Sequence, residues 1–128
     1  MVSKISEGIT VSVETFYQPD YSNPGNNEFM FAYRITIENN NSFPVKLLRR
    51  HWYIFDATGS TREVEGEGVI GVQPVINPGT NYQYISGCNL KTEMGKMYGT
   101  YSMENVNNKK QFSVIIPSFE MTVPFKMN

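Results

Sequence analysis

Phe29, Phe31, Tyr33, Ile35 and Ile37 alternate with Met30, Ala32, Arg34, Thr36 and Glu38, and this two-residue period constrains the fold more than any other feature. Successive side chains of an extended chain point to opposite faces, so such a run is a strand with one face buried. Ile9, Val11 and Val13 repeat the pattern, as do Phe119, Met121, Val123 and Phe125. The segment 45–56 also reads as a strand. Leu48, Trp52 and Ile54 share one parity and Leu47, Tyr53 and Phe55 the other, which predicts a central strand covered on both faces. Further short strands are expected at 61–65, 82–88, 97–103 and 111–116, with the last at 119–125. Turn chemistry separates them: the Pro- and Asn-rich stretch 18–27, Asn39–Ser42, Ala57–Ser60, and a glycine-containing turn at 93–96. No segment shows a convincing helical period. An all-β chain of about seven to nine short antiparallel strands folds as an immunoglobulin/fibronectin type III-like β-sandwich. Within it, Pro78-Gly79 sets a turn that places Tyr82 to return its hydroxyl to nearby backbone, the tyrosine corner of such sandwiches.

The 128 residues suit one domain spanning 1–128. Eleven Lys and Arg against twelve Asp and Glu leave a net charge of −1, without the basic patch by which nucleic acid is captured. No apolar run approaches the roughly 20 residues of a membrane span, and the first residues lack a signal peptide's apolar region, so the expected location is cytoplasmic. A single cysteine, Cys88, precludes an internal disulfide.

From Arg49 onward a set of spaced residues stands out. They are Arg50-x-Trp52, Gly66-Glu67-Gly68-Val69-Ile70-Gly71-x-Gln73-Pro74, Pro78-Gly79, Tyr82-x-Tyr84-x-Ser86-Gly87, Gly95-x-Met97-x-Gly99-x-Tyr101-x-Met103, and Ile116-Pro117-x-Phe119. Together, and with Tyr33 upstream, they resemble the ApaG domain family over nearly the whole chain. The resemblance implies a fibronectin-III-like fold and a small bacterial cytoplasmic protein. It also implies an association with cobalt and magnesium resistance or efflux, and with genes neighbouring a diadenosine tetraphosphate hydrolase. Related modules in larger eukaryotic proteins bind partners. None of these associations fixes a molecular activity. Cys88 and the polar 23–27 loop depart from the family pattern.

Gly66-x-Gly68-x-x-Gly71 matches the spacing of a dinucleotide-binding turn, but Gln73-Pro74 and the next Pro-Gly turn leave no room for the helix that such a site requires. Two readings remain: a bulged loop in which glycine permits close packing, or a nest of amides that, with Gln73 and Arg50, binds phosphate or another anion. Arg50 could instead cap the strand carrying Trp52. Glu63, Glu65 and Glu67 share one face of a strand, either as a solvated edge or as a weak site for a hard cation such as Mg²⁺. With His51 and Cys88 the only nitrogen and sulfur ligands of their kind, a preformed cobalt or zinc site is not expected. No catalytic constellation is evident, and no cofactor is implied. Tyr98, Tyr101 and Met97 are expected to contribute to a partner surface where they are exposed. The leading expectation is a non-enzymatic binding or adaptor domain with a protein partner, or self-association through a sheet face or edge strand. The alternatives are a phosphate or nucleotide sensor or weak hydrolase, and a direct, weak divalent-cation binder.

Overall fold

A computed structural model describes residues 1–124. Nine strands form two antiparallel sheets facing each other as a β-sandwich: β1 (Val2–Ser6), β2 (Ile9–Tyr17), β3 (Phe29–Asn39), β4 (Val45–Asp56), β5 (Thr61–Glu67), β6 (Val75–Ile76), β7 (Asn81–Leu90), β8 (Met94–Asn105) and β9 (Gln111–Thr122). One sheet runs β1-β2-β3-β7, the other β5-β4-β8-β9, with the two-residue β6 also pairing with β4. The chain matches the expected fold class.

The strongest sequence signal is reproduced residue by residue. Along β3, Phe29, Phe31, Tyr33, Ile35 and Ile37 are buried, and the intervening residues from Met30 to Thr36 are half-buried on the other face. Opposite them Trp52 is the hub of an aromatic core. It meets Tyr33 edge-on at 5.6 Å, Phe119 at 5.9 Å and Tyr101 at 6.5 Å between ring centroids. These are the offset geometries that ring quadrupoles favour. Asn39 is the polar residue fully enclosed in this core. Its amide donates to the carbonyls of Phe43 at 2.8 Å and Ile76 at 2.9 Å, and its oxygen accepts from the Asn41 amide.

Two bulges alter the expected pattern. On β4, Leu48 is an extra residue against β8, so the register passes from Leu47↔Met103 to Arg49↔Ser102. The slip brings Leu47 onto the same buried face as Trp52 and Ile54, although its parity is opposite, and places Tyr53 and Phe55 on the outer face. On β9, Pro117 and Ser118 lie between Ile116↔Gly99 and Phe119↔Met97. Proline is tolerated at a bulge because no ladder donor is needed there, so the two strands expected at 111–116 and 119–125 are one continuous strand. Phe125 lies outside the described residues. The turn expected at 93–96 falls earlier, ahead of Met94.

The Pro-Gly turn closes as expected, the Thr80 amide donating to the Asn77 carbonyl at 3.1 Å with Gly79 at φ +73°. Among the described residues the tyrosine corner does not form. Tyr82 packs half-buried at the core margin, and the hydroxyl that finds a partner is that of Tyr84, which meets the Tyr101 hydroxyl inside the core.

The two lateral edges of the sandwich differ. At one, β1 lies against β9, and the Ile115 amide donates to Ser6 Oγ at 2.9 Å. At the other, β5 and β7 leave an open cleft.

Candidate functional site

The glycine motif is folded onto the β4 bulge. Leu48, displaced from the ladder, turns its carbonyl to the Gly68 amide at 2.8 Å and to the Gln73 side-chain amide at 2.9 Å. Val69 and Val72 exchange amide–carbonyl bonds of 2.8 and 3.1 Å across a tight turn whose central residues, Ile70 and Gly71, both have positive φ. This is the geometry of a type I′ turn. Arg50 completes the clasp, one guanidinium nitrogen donating to the carbonyls of Glu67 and Gly68, each at 3.0 Å.

Two of the motif's glycines are explained by close approach. A Cβ on Gly66 would stand 2.8 Å from the Arg50 guanidinium, and one on Gly68 would fall 1.9 Å from the Val72 carbonyl oxygen. The Gly68 amide is thus engaged by Leu48 of β4, those of Val69 and Val72 by each other, and Gln73 serves the bulge. Of the anion-binding set expected from sequence, Gly66, Gly68, Gly71, Gln73 and Arg50 do come together, but as a packing device in which carbonyls, not free amides, face the arginine.

On the outer face of the second sheet the structure assembles a surface that sequence reasoning largely missed. His51 stacks on Tyr53 at 4.5 Å, Tyr53 on Tyr98 at 5.1 Å, and Tyr98 on Phe55 at 5.7 Å, with interplanar angles of 22°, 17° and 18°. The Lys96 ammonium lies 5.5 Å from the centre of the Phe55 ring. Of the three residues expected at a partner surface, only Tyr98 belongs to this row. Tyr101 and Met97 are corrected to core residues, 0% and 2% exposed, because the parity of β8 turns them toward Trp52 and Phe119. Tyr53 and Phe55 were visible as strand residues, but their face depended on the unseen bulge.

Glu63 and Glu65 border the aromatic row, and His51 joins them. Its Nε2 lies 3.1 Å from Glu63 and its Nδ1 2.9 Å from Glu65. Glu67 stands apart, opposite Arg49 in the strand ladder. The cluster His51, Glu63 and Glu65 thus replaces the all-glutamate set. The two carboxylates flank different nitrogens of one ring, so a single ion held by imidazole and both carboxylates would have to displace one of these contacts.

The cleft between β5 and β7 is the third polar feature. It encloses about 210 Å³ between Tyr33, Arg50, Trp52, Arg62, Ser86 and Cys88, among others. Arg62 spans it, one nitrogen donating to the Asn89 carbonyl at 2.6 Å and approaching Cys88 Sγ at 3.5 Å. Burial pushes the Cys88 thiol above its ordinary range, and Arg62 offsets this only in part. The thiol stays protonated near neutrality, and His51 lies on the opposite face of the sheet. Among the described residues no base is placed beside this thiol to make it a nucleophile.

Burial likewise raises the ionisation of Tyr33, Tyr84 and Tyr101. Groups whose pKa is higher in the fold than in the unfolded chain contribute stability that is intact below the unfolded value and is lost as pH rises beyond it. Stability should therefore hold up to about pH 9, where unfolded Cys88 begins to ionise. It should fall more steeply above pH 10, where the three tyrosines follow, each group contributing at most about 1.4 kcal/mol per pH unit while it is ionised in the unfolded chain and protonated in the fold. Urea midpoints measured from pH 7 to 11 test this; a flat profile through pH 11 contradicts it.

Comparisons with known proteins agree with this architecture. The ApaG domain profile matches residues 19–105. Protein ApaG of Brucella suis biovar 1 is 47% identical over 124 residues, which cover 97% of this chain and 95% of the relative. Protein ApaG of Paramagnetospirillum magneticum is 48% identical over the same shares of the two chains. Among solved structures, a Bordetella pertussis protein described as ApaA superposes with a TM-score of 0.88 at 40% identity, covering 92% of this chain and 95% of that one.

Proposed function

The chain belongs to the ApaG domain family, and from that premise we propose that it is a non-enzymatic binding module that engages a protein partner through the outer face of the β5-β4-β8-β9 sheet. The observation that supports this reading is the row His51–Tyr53–Tyr98–Phe55. Stacked rings on a solvent-facing sheet present rigid apolar area at low entropic cost, the composition that dominates binding energy at protein interfaces. Glu63 and Glu65 on one side and Glu120 on the other border this face, and all three are exposed. Aromatic area edged by carboxylates fits a partner segment bearing arginine or lysine, whose cations stack on rings and pair with the acids.

The module acts in the cytoplasm in this reading, and no helix among the described residues is long and apolar enough to cross a membrane. Any effect on cobalt or magnesium homeostasis is then exerted through the partner. The test is affinity capture from native cytoplasm with the wild-type chain and with a Tyr53→Ala/Tyr98→Ala variant shown by circular dichroism to be folded. Proteins retained by the wild type should fall at least about tenfold with the variant, the loss of roughly 1.4 kcal/mol or more expected of interface aromatics. Equal capture by both chains would exclude this face. Turnover of a defined substrate without any reproducible partner would exclude the binding-module reading itself.

A further inference from the structure

The cleft at the open edge between β5 and β7 holds two arginines without an acidic partner. Arg50 and Arg62 lie on the inward parity of β4 and β5, paired in the ladder with Gly66 and Ile54 respectively. Among the described residues neither forms an ion pair, and no Asp or Glu lines the cleft. The recorded bonds of each guanidinium go to main-chain carbonyls, with Cys88 Sγ as a third contact for Arg62. Each uses a single terminal nitrogen. A guanidinium carries five donors in a planar fork, so both retain N–H groups suited to an oxyanion.

Two further features give the cleft the character of a binding site. Trp52, Ile54 and Val64 supply apolar walls, which strengthen the field of the two cations by excluding water. Ser86, beside the Tyr33 hydroxyl, adds a neutral donor. The volume of about 210 Å³ is below that of typical drug-sized pockets, so the cleft would admit an anionic group and its immediate neighbours, not a whole dinucleotide.

We propose that this cleft binds a small oxyanion, a phosphate monoester or a carboxylate. Arg50 and Arg62 grip the oxyanion, and Ser86 supports it. Gly66 is the enabling residue: without a Cβ it lets the Arg50 side chain lie across β5 and reach the cleft from the neighbouring strand. The site is independent of the aromatic row, which lies on β4 and β8 at the other face of the sheet.

NMR titration of the full chain tests the proposal. The probes are inorganic phosphate, glycerol 3-phosphate and malate, with sodium chloride at matched ionic strength as the control. Expected are saturable shifts of the Arg50 and Arg62 side-chain N–H signals and of the Ser86 and Asn89 amides. Whichever of glycerol 3-phosphate and malate binds more tightly identifies the source of the oxyanion. Arg62→Gln should weaken that binding at least tenfold, and Arg62→Lys should recover part of the loss by restoring charge without the fork. Should Arg62→Gln perturb the fold, Ser86→Ala and the wild-type titration still decide the matter. Shifts that only follow ionic strength, that do not saturate, or that survive unchanged in both variants overturn the proposal.

Discussion

Alanine in place of Gly99 is expected to lower the unfolding free energy by about 3 kcal/mol or more, the upper range for forced overpacking. Gly99 lies in β8 between its two neighbouring strands, opposite Trp52 on β4 and Ile116 on β9. A Cβ there would stand 2.1 Å from the His51 carbonyl oxygen and 3.2 Å from the Trp52 Cα. Both are backbone atoms of a hydrogen-bonded ladder, so no rotamer change relieves the contact. The strands must separate or β8 must slide, and either shift disturbs the aromatic core around Trp52. For a domain of this size the loss corresponds to a fall in melting temperature of roughly 10 °C. Thermal melting of the purified variant measures it directly. A midpoint within about 3 °C of the wild type would mean that β4 and β8 do not approach this closely.

The hydroxyl pair inside the core yields the second large effect. Tyr84 and Tyr101 come from opposite sheets, and their hydroxyls bond to each other where water does not reach. Tyr101→Phe removes one partner and leaves the Tyr84 hydroxyl buried, at a cost of about 2 kcal/mol. Removing both hydroxyls in Tyr84→Phe/Tyr101→Phe eliminates the orphan as well as the bond, so the double variant should be more stable than the single Tyr101→Phe variant. Denaturant midpoints for the four members of this cycle expose the non-additivity. Strictly additive losses would falsify the pairing.

The difference between what was readable and what was not comes down to where strand parity holds. In β3 nothing interrupts the period, and Phe29 to Ile37 were legible as a buried face from sequence alone. In β4 the inserted Leu48 reverses parity midway. A bulge here leaves no local signature, since Leu48 is neither glycine nor proline and the partners of its carbonyl lie in the distant loop at 68–73. The aromatic row on Tyr53 and Phe55 is therefore hidden in the sequence, and which of Tyr98, Tyr101 and Met97 faces solvent depends on the register of β8. β1 was missed because Val2–Ser6 has only modest apolar content, and its place depends on the neighbours β2 and β9. The cleft was invisible for a different reason. Arg50 and Arg62 were twelve positions apart in sequence and are brought to one opening by the β4–β5 hairpin, while Ser86 and Asn89 arrive from the other sheet.

The Leu48 carbonyl has a meaning beyond packing. With two donors fixed on it, the extra residue cannot migrate along β4 without breaking both bonds at once, so the loop acts as a stop on strand sliding. A one-residue slip past that stop would exchange the two faces of β4 downstream, sending Trp52 to solvent and Tyr53 into the core. The glycine loop thereby decides which side of this sheet is inside. The surface offered to the outside depends on this hydrogen-bonded latch at Leu48, a few residues from the aromatic row on the same strand.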